Sequence, residues 1–231
     1  MTIRGLIWRG FLALVLLVLL YQLWVFLHIC YWVHQNPSST AFMRDRLEVL
    51  REDKPDAKLK YQWVDYNNIS INLKRAVIAA EDSRFPQHDG FDWDSIQKAY
   101  EKNLKKGKLV AGGSTISQQL AKNLFLSSQR TPWRKLQEAV ITLMLETVMS
   151  KRRILEIYLN VIEWGNGVFG AEAAARHYYG TSARNLSSYQ AAKMAAMIPN
   201  PRFYDKHRST RFLNRKAGTI QSRMRLVEVP K

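Results

Sequence analysis

Residues 79–90 read AAEDSRFPQHDG and place four ionisable side chains, Glu81, Asp82, His88 and Asp89, directly after an apolar run. Upstream, Leu73, Val77 and Glu81 follow one another at i+4 steps with Ile78 beside them, which predicts a helix that begins near Ser70 and ends at the acidic pair. A carboxyl sharing a stripe with Leu73 and Val77 is partly desolvated, and desolvation moves its pKa toward the range useful to a general base or acid. The same residues also read as a helix end reaching water before a turn at Pro86, so the stretch by itself leaves both readings open. A protein metal cage from Asp82, His88, Asp89, Asp92 and Asp94 is not expected, because their spacings match no zinc or calcium loop.

Outward from this stretch the pattern stays helical. Thr115 with Gln118 three positions on is a capping-box start. A long apolar helix is predicted over 133–149, RRILEIYLNVI (152–162) makes the next, and AEAAARHYYG and SSYQAAKMAAMI supply two more, the last stopping at PNP. Strict period-two alternation is scarce, so the fold class is mainly α.

The N-terminal part is of another kind. Residues 10–33 are 24 positions without Asp, Glu, Lys or Arg. As a helix they extend roughly 36 Å, enough to cross a hydrocarbon core of about 30 Å. The run exceeds the apolar region of a cleaved secretory signal, about 7 to 15 residues, and no small-x-small site follows it. Arg4 and Arg9 precede the span and the next charge is Arg44, so residues 1–9 are expected in the cytoplasm and the remainder outside. Residues 34–60 read as a juxtamembrane linker with a short charged helix in AFMRDRLEVLRED, and 61–231 as the functional domain. The one cysteine, Cys30, lies in the span, which leaves the exported part without a disulfide. All 19 acidic residues and 33 of the 35 Lys and Arg lie beyond residue 33, leaving that part 14 charges positive. An acidic partner at a bilayer surface, phospholipid or a lipid-linked phosphate, suits this better than nucleic acid, which a tethered exported domain rarely meets.

GGSTISQQLAKN (112–123) offers free backbone N–H groups at a helix N-terminus, a ready anion site. Gln118, Gln119 and Lys122 share its polar face while Ile116, Leu120 and Leu124 form the opposite ladder, a layout that an ordinary amphipathic helix also has. Arg130, Arg134 and Lys135 follow, then Glu138. Arg134 and Glu138 at i,i+4 make either a surface ion pair worth a few tenths of a kcal/mol or a device in which cations bind a diphosphate and Glu138 holds them, or a divalent ion, in place. Two carboxylates, a helix-end anion site and a cation cluster suit departure of a sugar-linked diphosphate. In residues 202–231, Leu213, Ala217, Ile220 and Met224 make one apolar stripe beside nine Lys and Arg, compatible with a basic membrane-facing helix or with a terminal helix capping the domain.

EDSRFPQHDG resembles the ED-x-x-F-x-x-H-x-G motif of the peptidoglycan glycosyltransferases (glycosyltransferase family 51). GGSTISQQLAKN is similar to their second motif, RKLQE to the third, R-K-x-x-E, and KRRILEIYLN to the fourth, K-x-x-I-L-E-x-Y-L-N. GVFGAEAAARHYYG resembles the fifth, with Tyr179 where Phe is the commoner residue. The five fall in order over roughly 62–205, about 140 of the 231 residues. The chain ends soon after, so a monofunctional form without a transpeptidase domain is expected.

The resemblance implies a lysozyme-like, two-lobed helical domain, a head and a smaller membrane-dipping jaw, behind a single N-terminal transmembrane helix in the bacterial inner membrane, with the catalytic domain periplasmic. It implies lipid II and the growing glycan chain on undecaprenyl diphosphate as substrates, β-1,4 linkage with inversion, and release of undecaprenyl diphosphate. Carried over residue by residue, Glu81 is the general base and Glu138 lies at the donor diphosphate, orienting cations or a divalent ion (Mg or Mn) associated with it. Lys122 and Arg130 stabilise the leaving group, while Ser114, Gln118, Gln119, Asn123, Arg134 and Lys135 line the donor groove. Asp82 and His88 belong to the shell around the base, and Glu156 and Tyr158 are structural. Other cell-wall synthases and division proteins are the protein partners such a setting brings within reach. Two rivals remain: a lytic enzyme of the same fold that cleaves glycan, and a non-catalytic anchored scaffold. The cations at 122, 130 and 134 favour synthesis over the first, and a carboxylate on an apolar face speaks against the second.

Overall fold

The computed structural model of the chain describes residues 2–108, 112–127, 129 and 131–231. Among these the structure is mainly α-helical. In chain order it contains α1 (Ile3–Trp32), α2 (Ala41–Asp53), β1 (Lys60–Tyr61), α3 (Ile71–Glu81), α4 (Trp93–Lys106), α5 (Ile116–Phe125), α6 (Pro132–Val148) and α7 (Lys151–Val161). It continues with β2 (Glu163–Gly165), β3 (Val168–Phe169), α8 (Ala171–Tyr179), α9 (Ser188–Met197), α10 (Pro201–Lys206) and α11 (Arg211–Arg223).

The helix starts follow from local chemistry. The side chains of Thr40, Ser70, Asp92, Thr115, Thr131, Ser150, Ser187 and Thr210 each accept a backbone N–H of the turn they open. At Thr115 the predicted capping box with Gln118 is closed in both directions. α3 packs on α9, α9 on α11, and α5 on both α6 and α7. Leu73, Val77 and Ile78 of α3, Ile116, Leu120 and Leu124 of α5, and Ile154, Leu155 and Tyr158 of α7 are buried in the common core. α8 and α9 contribute Ala174, Ala175, Ala191, Ala192, Ala195 and Ala196, small residues that let these helices approach closely. A three-stranded sheet ordered β1-β3-β2 closes the far side, β1 parallel to β3 and β2 antiparallel to it.

α4 stands apart from this body as the smaller lobe: none of its residues is buried, and Trp93, Tyr100 and Leu104 lie open on one face. It is tied to the rest by an ion pair of Asp94 with Arg84 and by a close approach of Ile96 to Gly113, where a Cβ would stand 3.1 Å from the Ile96 Cα.

Two expectations change. Residues 34–60 are not a loose linker. Met43 and Thr40 are buried, α2 packs on α5, and Lys60 already belongs to the sheet, because the charged-looking helix keeps an apolar edge for the domain. The apolar N-terminal helix runs from Ile3, ahead of the expected span, and its C-terminal half docks. Val25 and Ile29 are fully buried, Gln22 Nε2 donates to Gln137 Oε1 at 2.8 Å, and Trp24 and Trp32 pack against Phe125. Arg153 clamps its exit, with Nε donating to the Trp32 carbonyl at 2.9 Å and Nη2 to the Gln35 carbonyl at 2.6 Å. Phe125 thereby faces the anchor, while Leu126 is buried in the core. Of the two readings of the C-terminus, the capping helix is the one seen: Leu213, Ala217 and Ile220 of α11, with Met224, are buried against α3 and α9.

Candidate active site

Glu81 is the last residue of α3, stays partly open to a cleft, and is held from two other helices. Gln119 Nε2, on α5, donates to Glu81 Oε2 at 2.8 Å, and Tyr158 on α7 donates its hydroxyl to Gln119 Oε1 at 2.9 Å. The amide of Gln119 is therefore fixed in one sense, N–H toward the carboxylate, by a phenol whose only way of bonding that oxygen is to donate. Burial raises the Tyr158 phenol well above its usual range, which keeps it a donor. Burial also pushes the Glu81 carboxyl above the usual carboxylate value. The Gln119 bond and the charges of Lys216 and Lys122 pull the other way, and Asp82 adds to the rise. A carboxylate whose pKa is raised is a better proton acceptor than an exposed glutamate.

Asp82 turns away from the cleft's centre. It is buried, meets His88 Nε2 at 2.9 Å through Oδ1, and accepts the Ile116 N–H at 3.0 Å through Oδ2. It thus ties the segment after α3 to the N-terminus of α5. His88 is held from its other side as Lys151 donates to its carbonyl, and Lys151 also pairs with Glu146 at 2.7 Å. Thr115 Oγ1 donates to the Gly90 carbonyl at 2.7 Å. Gly90 is required there: its φ is +88°, and a Cβ would meet Thr142 Cγ2 at 2.7 Å. The acidic stretch is a packed joint that presents Glu81 to the cleft.

A cavity of about 490 Å³ lies on the Gln119 side. One wall carries Ser114, Lys122, Asn123, Arg134, Lys135 and Glu138; the other is formed by Phe42, Ile162, Glu163 and residues 198–202. Glu138 is buried between its own neighbours. Arg134 Nη1 donates to Glu138 Oε2 at 2.8 Å, and Lys135 donates to Oε1 and, at 3.3 Å, to Ser114 Oγ. This carboxylate holds two cations at the cavity edge, and Arg134 Nε, also buried, has no hydrogen-bond partner among the described residues. A smaller cavity of about 160 Å³ on the other side of Ser114 is lined by Glu81, Asp82, Ser95 and Gly112–Thr115.

Most of the expected residues therefore converge: Glu81, Ser114, Gln119, Lys122, Asn123, Arg134, Lys135 and Glu138 border the two cavities, which share Ser114. Gln118 does not reach the groove it was expected to line, because it is buried and its amide is spent in the Thr115 capping box. Asp82 and His88, expected among the substrate-binding residues as the shell around the base, are bonded to one another, and Asp82 also lines the smaller cavity. Arg130 lies outside the described residues, as do residues 109–111. Tyr158, expected to be structural only, is two hydrogen bonds from the base. Glu156 does brace the fold, accepting the Tyr66 N–H at 2.7 Å and pairing with Arg153 at 2.6 Å. Sequence reasoning missed the second wall. There Glu163, buried, is gripped by Arg202 Nε at 2.9 Å and by Arg46 of α2, and accepts the Gly167 N–H at 3.1 Å. No local pattern links residues 46, 163 and 202; the only signal was an acidic residue in a run otherwise apolar and glycine-rich.

A desolvated carboxylate near a cation-lined cavity, on a mainly helical body with an apolar N-terminal helix, suits a glycosyl-transfer enzyme of the lysozyme-like helical class. The family follows from comparison: the sequence model of the Transglycosylase family matches residues 48–225, and the chain belongs to that family. Its relatives include proteins named biosynthetic peptidoglycan transglycosylase from Methylobacillus flagellatus, 72% identical over 99% of this chain and 100% of the relative. Those of Laribacter hongkongensis and Nitrosospira multiformis are 66% and 65% identical, each over 96% of this chain and 97% of the relative.

Proposed function

We propose that this peptidoglycan transglycosylase polymerises lipid II on the outer face of the bacterial inner membrane, joining the growing chain to each new unit by a β-1,4 bond. The observation that carries this reading is the double engagement of Gln119. It donates to the base at 2.8 Å and also lines the cavity whose wall holds Lys122, Arg134 and Lys135. The proton acceptor and the anion site are therefore two sides of one residue, the separation that in-line displacement of a diphosphate requires.

In this mechanism Glu81 takes the proton of the 4-hydroxyl on the acceptor N-acetylglucosamine. The oxygen attacks the anomeric carbon of the donor chain, the bond from that carbon to the diphosphate breaks, and configuration inverts. The electron pair leaves with undecaprenyl diphosphate, whose charge is met by Lys122, Arg134 and Lys135; Arg130, which the family resemblance assigns to the leaving group, belongs with them. Preorganised cations of this kind are worth about 10²–10³ in rate apiece. Glu138 keeps the two α6 cations aimed at the cavity. A divalent cation, Mg or Mn, fits only as a companion of the substrate diphosphate, adding positive charge there. Glu138 is the one carboxylate on that wall, and among the described residues no three His, Cys, Asp or Glu are grouped to hold a metal.

The bilayer setting follows from the apolar surfaces. α1 is 30 residues long, about 45 Å, and Arg4 and Arg9 before its apolar run support a cytoplasmic start. Trp133, Leu136 and Leu143 are exposed on α6, the helix that meets Gln22, and with Trp93, Tyr100 and Leu104 of α4 they rest on the outer leaflet. The cleft then opens where lipid-linked sugars are displayed, and neighbouring cell-wall synthases and division proteins share that plane.

The test is incubation of the purified protein with lipid II in detergent and a divalent cation, with product sized by gel. Polymer is expected, and Lys122→Ala should lower turnover about 100-fold. Shortening of preformed glycan would instead mark a lytic enzyme, and no change in either substrate a scaffold.

A further inference from the structure

The cavity wall opposite Lys122 takes no part in the mechanism above. It is assembled from Phe42 of α2, Ile162 and Glu163 at the entry to β2, and residues 198–202 leading into α10. Its construction mirrors that of the α6 wall. Glu163, buried, holds Arg202 Nε at 2.9 Å and Arg46 Nε at 3.3 Å, much as Glu138 holds Arg134 and Lys135. The difference lies in what is left over. Nε is the one nitrogen of Arg202 that the carboxylate engages; its two amino groups and the Asn200 carboxamide have no hydrogen-bond partner among the described residues. Both side chains line the cavity. Pro199 and Pro201 bracket Asn200, and the Tyr204 N–H donates to the Asn200 carbonyl at 3.1 Å, so the segment presents these groups with little backbone freedom.

The rest of this wall is apolar: Phe42, Ile162, Ile198, Pro199 and Pro201. Such a mixture is not what a diphosphate selects, since phosphate oxygens call for cations and N–H groups and gain nothing from hydrocarbon. A sugar selects it. A pyranose ring has apolar C–H faces that lie on flat hydrophobic side chains, and a rim of hydroxyl and acetamido groups that both donate and accept. Asparagine offers a donor and an acceptor to that rim, and arginine a rigid fork of donors. The cavity, about 490 Å³, is also of a size that holds more than a diphosphate. We propose that Arg202 and Asn200 are substrate-binding residues that grip the N-acetylated sugar of the donor chain carrying the diphosphate. The free amino groups of Arg202 donate to sugar oxygens, and the Asn200 carboxamide pairs with a hydroxyl or acetamido group. This deepens the proposed function and rests on its reading of the α6 wall as the diphosphate site. Glu163 is then a positioning residue: it orients the guanidinium and offsets its charge, so that Arg202 serves as a hydrogen-bonding fork and not as a further attractor of phosphate.

The experiment is calorimetric titration of the full-length protein in detergent with two separate probes: short peptide-free peptidoglycan strands that lack a diphosphate, and inorganic pyrophosphate. Arg202→Gln should weaken strand binding about tenfold or more, the loss expected when a charged donor is removed, and Asn200→Ala about three- to tenfold. Pyrophosphate should lose far less in both, and Lys122→Ala should show the opposite pattern. Collapse of the cavity would lower both probes together, so the selective loss separates contact from packing. Strand affinity in Arg202→Gln equal to that of the wild type overturns the proposal, as does a wild type that binds no strand. Equal losses for the two probes would assign Arg202 to the diphosphate and overturn it as well. The Arg202 side chain is 46% exposed, and on its removal Glu163 keeps Arg46 and the Gly167 N–H. Should Arg202→Gln nonetheless fail to fold, Asn200→Ala, at an exposed position, carries the same expectation and the same refutation. The titration involves no turnover. A wild type that binds strand through Arg202 yet polymerises no lipid II refutes the proposed activity and leaves the sugar wall standing, whereas polymerisation by a protein whose Arg202→Gln variant binds strand normally refutes the wall alone.

Discussion

Replacing Asp82 by alanine separates a packing role from a substrate-binding one. In the structure the carboxylate is buried and satisfies two donors, His88 Nε2 at 2.9 Å and the Ile116 N–H at 3.0 Å. Asp82→Ala leaves both without an acceptor in the interior, and each stranded group costs about 1–3 kcal/mol. The expected loss is therefore about 4 kcal/mol, which for a chain of this size lowers Tm by roughly 8–16 °C. Thermal unfolding of the full-length protein in detergent, followed by tryptophan fluorescence, measures it. His88→Ala, which removes one of the two bonds, should fall between Asp82→Ala and wild type, and the double variant should be less destabilised than the sum of the two. An Asp82→Ala protein that melts with the wild type but no longer polymerises lipid II would refute this reasoning and put Asp82 at the substrate.

Gly90→Ala should be strongly destabilising for a different reason, since φ of +88° and a 2.7 Å approach to Thr142 Cγ2 admit no Cβ without movement; about 2 kcal/mol or more is expected in chemical unfolding. Gln119→Leu removes the donor that favours the charged form of Glu81, so the acid limb of kcat/KM should move to higher pH by about one unit; an unmoved limb would remove Gln119 from that role. Burial penalises ionised Glu81, so its proton is held more tightly in the folded than in the unfolded chain and its contribution to stability is lost as pH rises through the usual carboxylate range toward the raised value. Glu81→Gln should accordingly melt no lower than wild type at neutral pH, which unfolding measured at pH 5 and pH 7.5 will show.

What the sequence disclosed was what local chemistry decides. The start of α3 at Ser70, the capping box at Thr115 and the apolar ladder Ile116–Leu120–Leu124 are written within one or two helical turns, and all three appear in the structure. The convergence of Glu81 with Lys122, Arg134 and Glu138 came from motif resemblance, not from periodicity, because no spacing rule brings residues 81 and 138 together. Gln118 shows two local signals competing for one side chain, and the cap took it, since an unmet buried N–H of Thr115 is costlier than a missing groove contact. The opposite wall was hidden because it is assembled from α2, β2 and the segment before α10, more than 100 residues apart in Arg46 and Glu163.

The central claim is that Glu81 is the base of a lipid II polymerase, and the most direct measurement is polymer formation by Glu81→Gln beside wild type, with folding of both verified by unfolding. The account predicts glycan strands from the wild type and none from the variant, at unchanged or higher Tm. Polymer made by Glu81→Gln at the wild-type rate would contradict it.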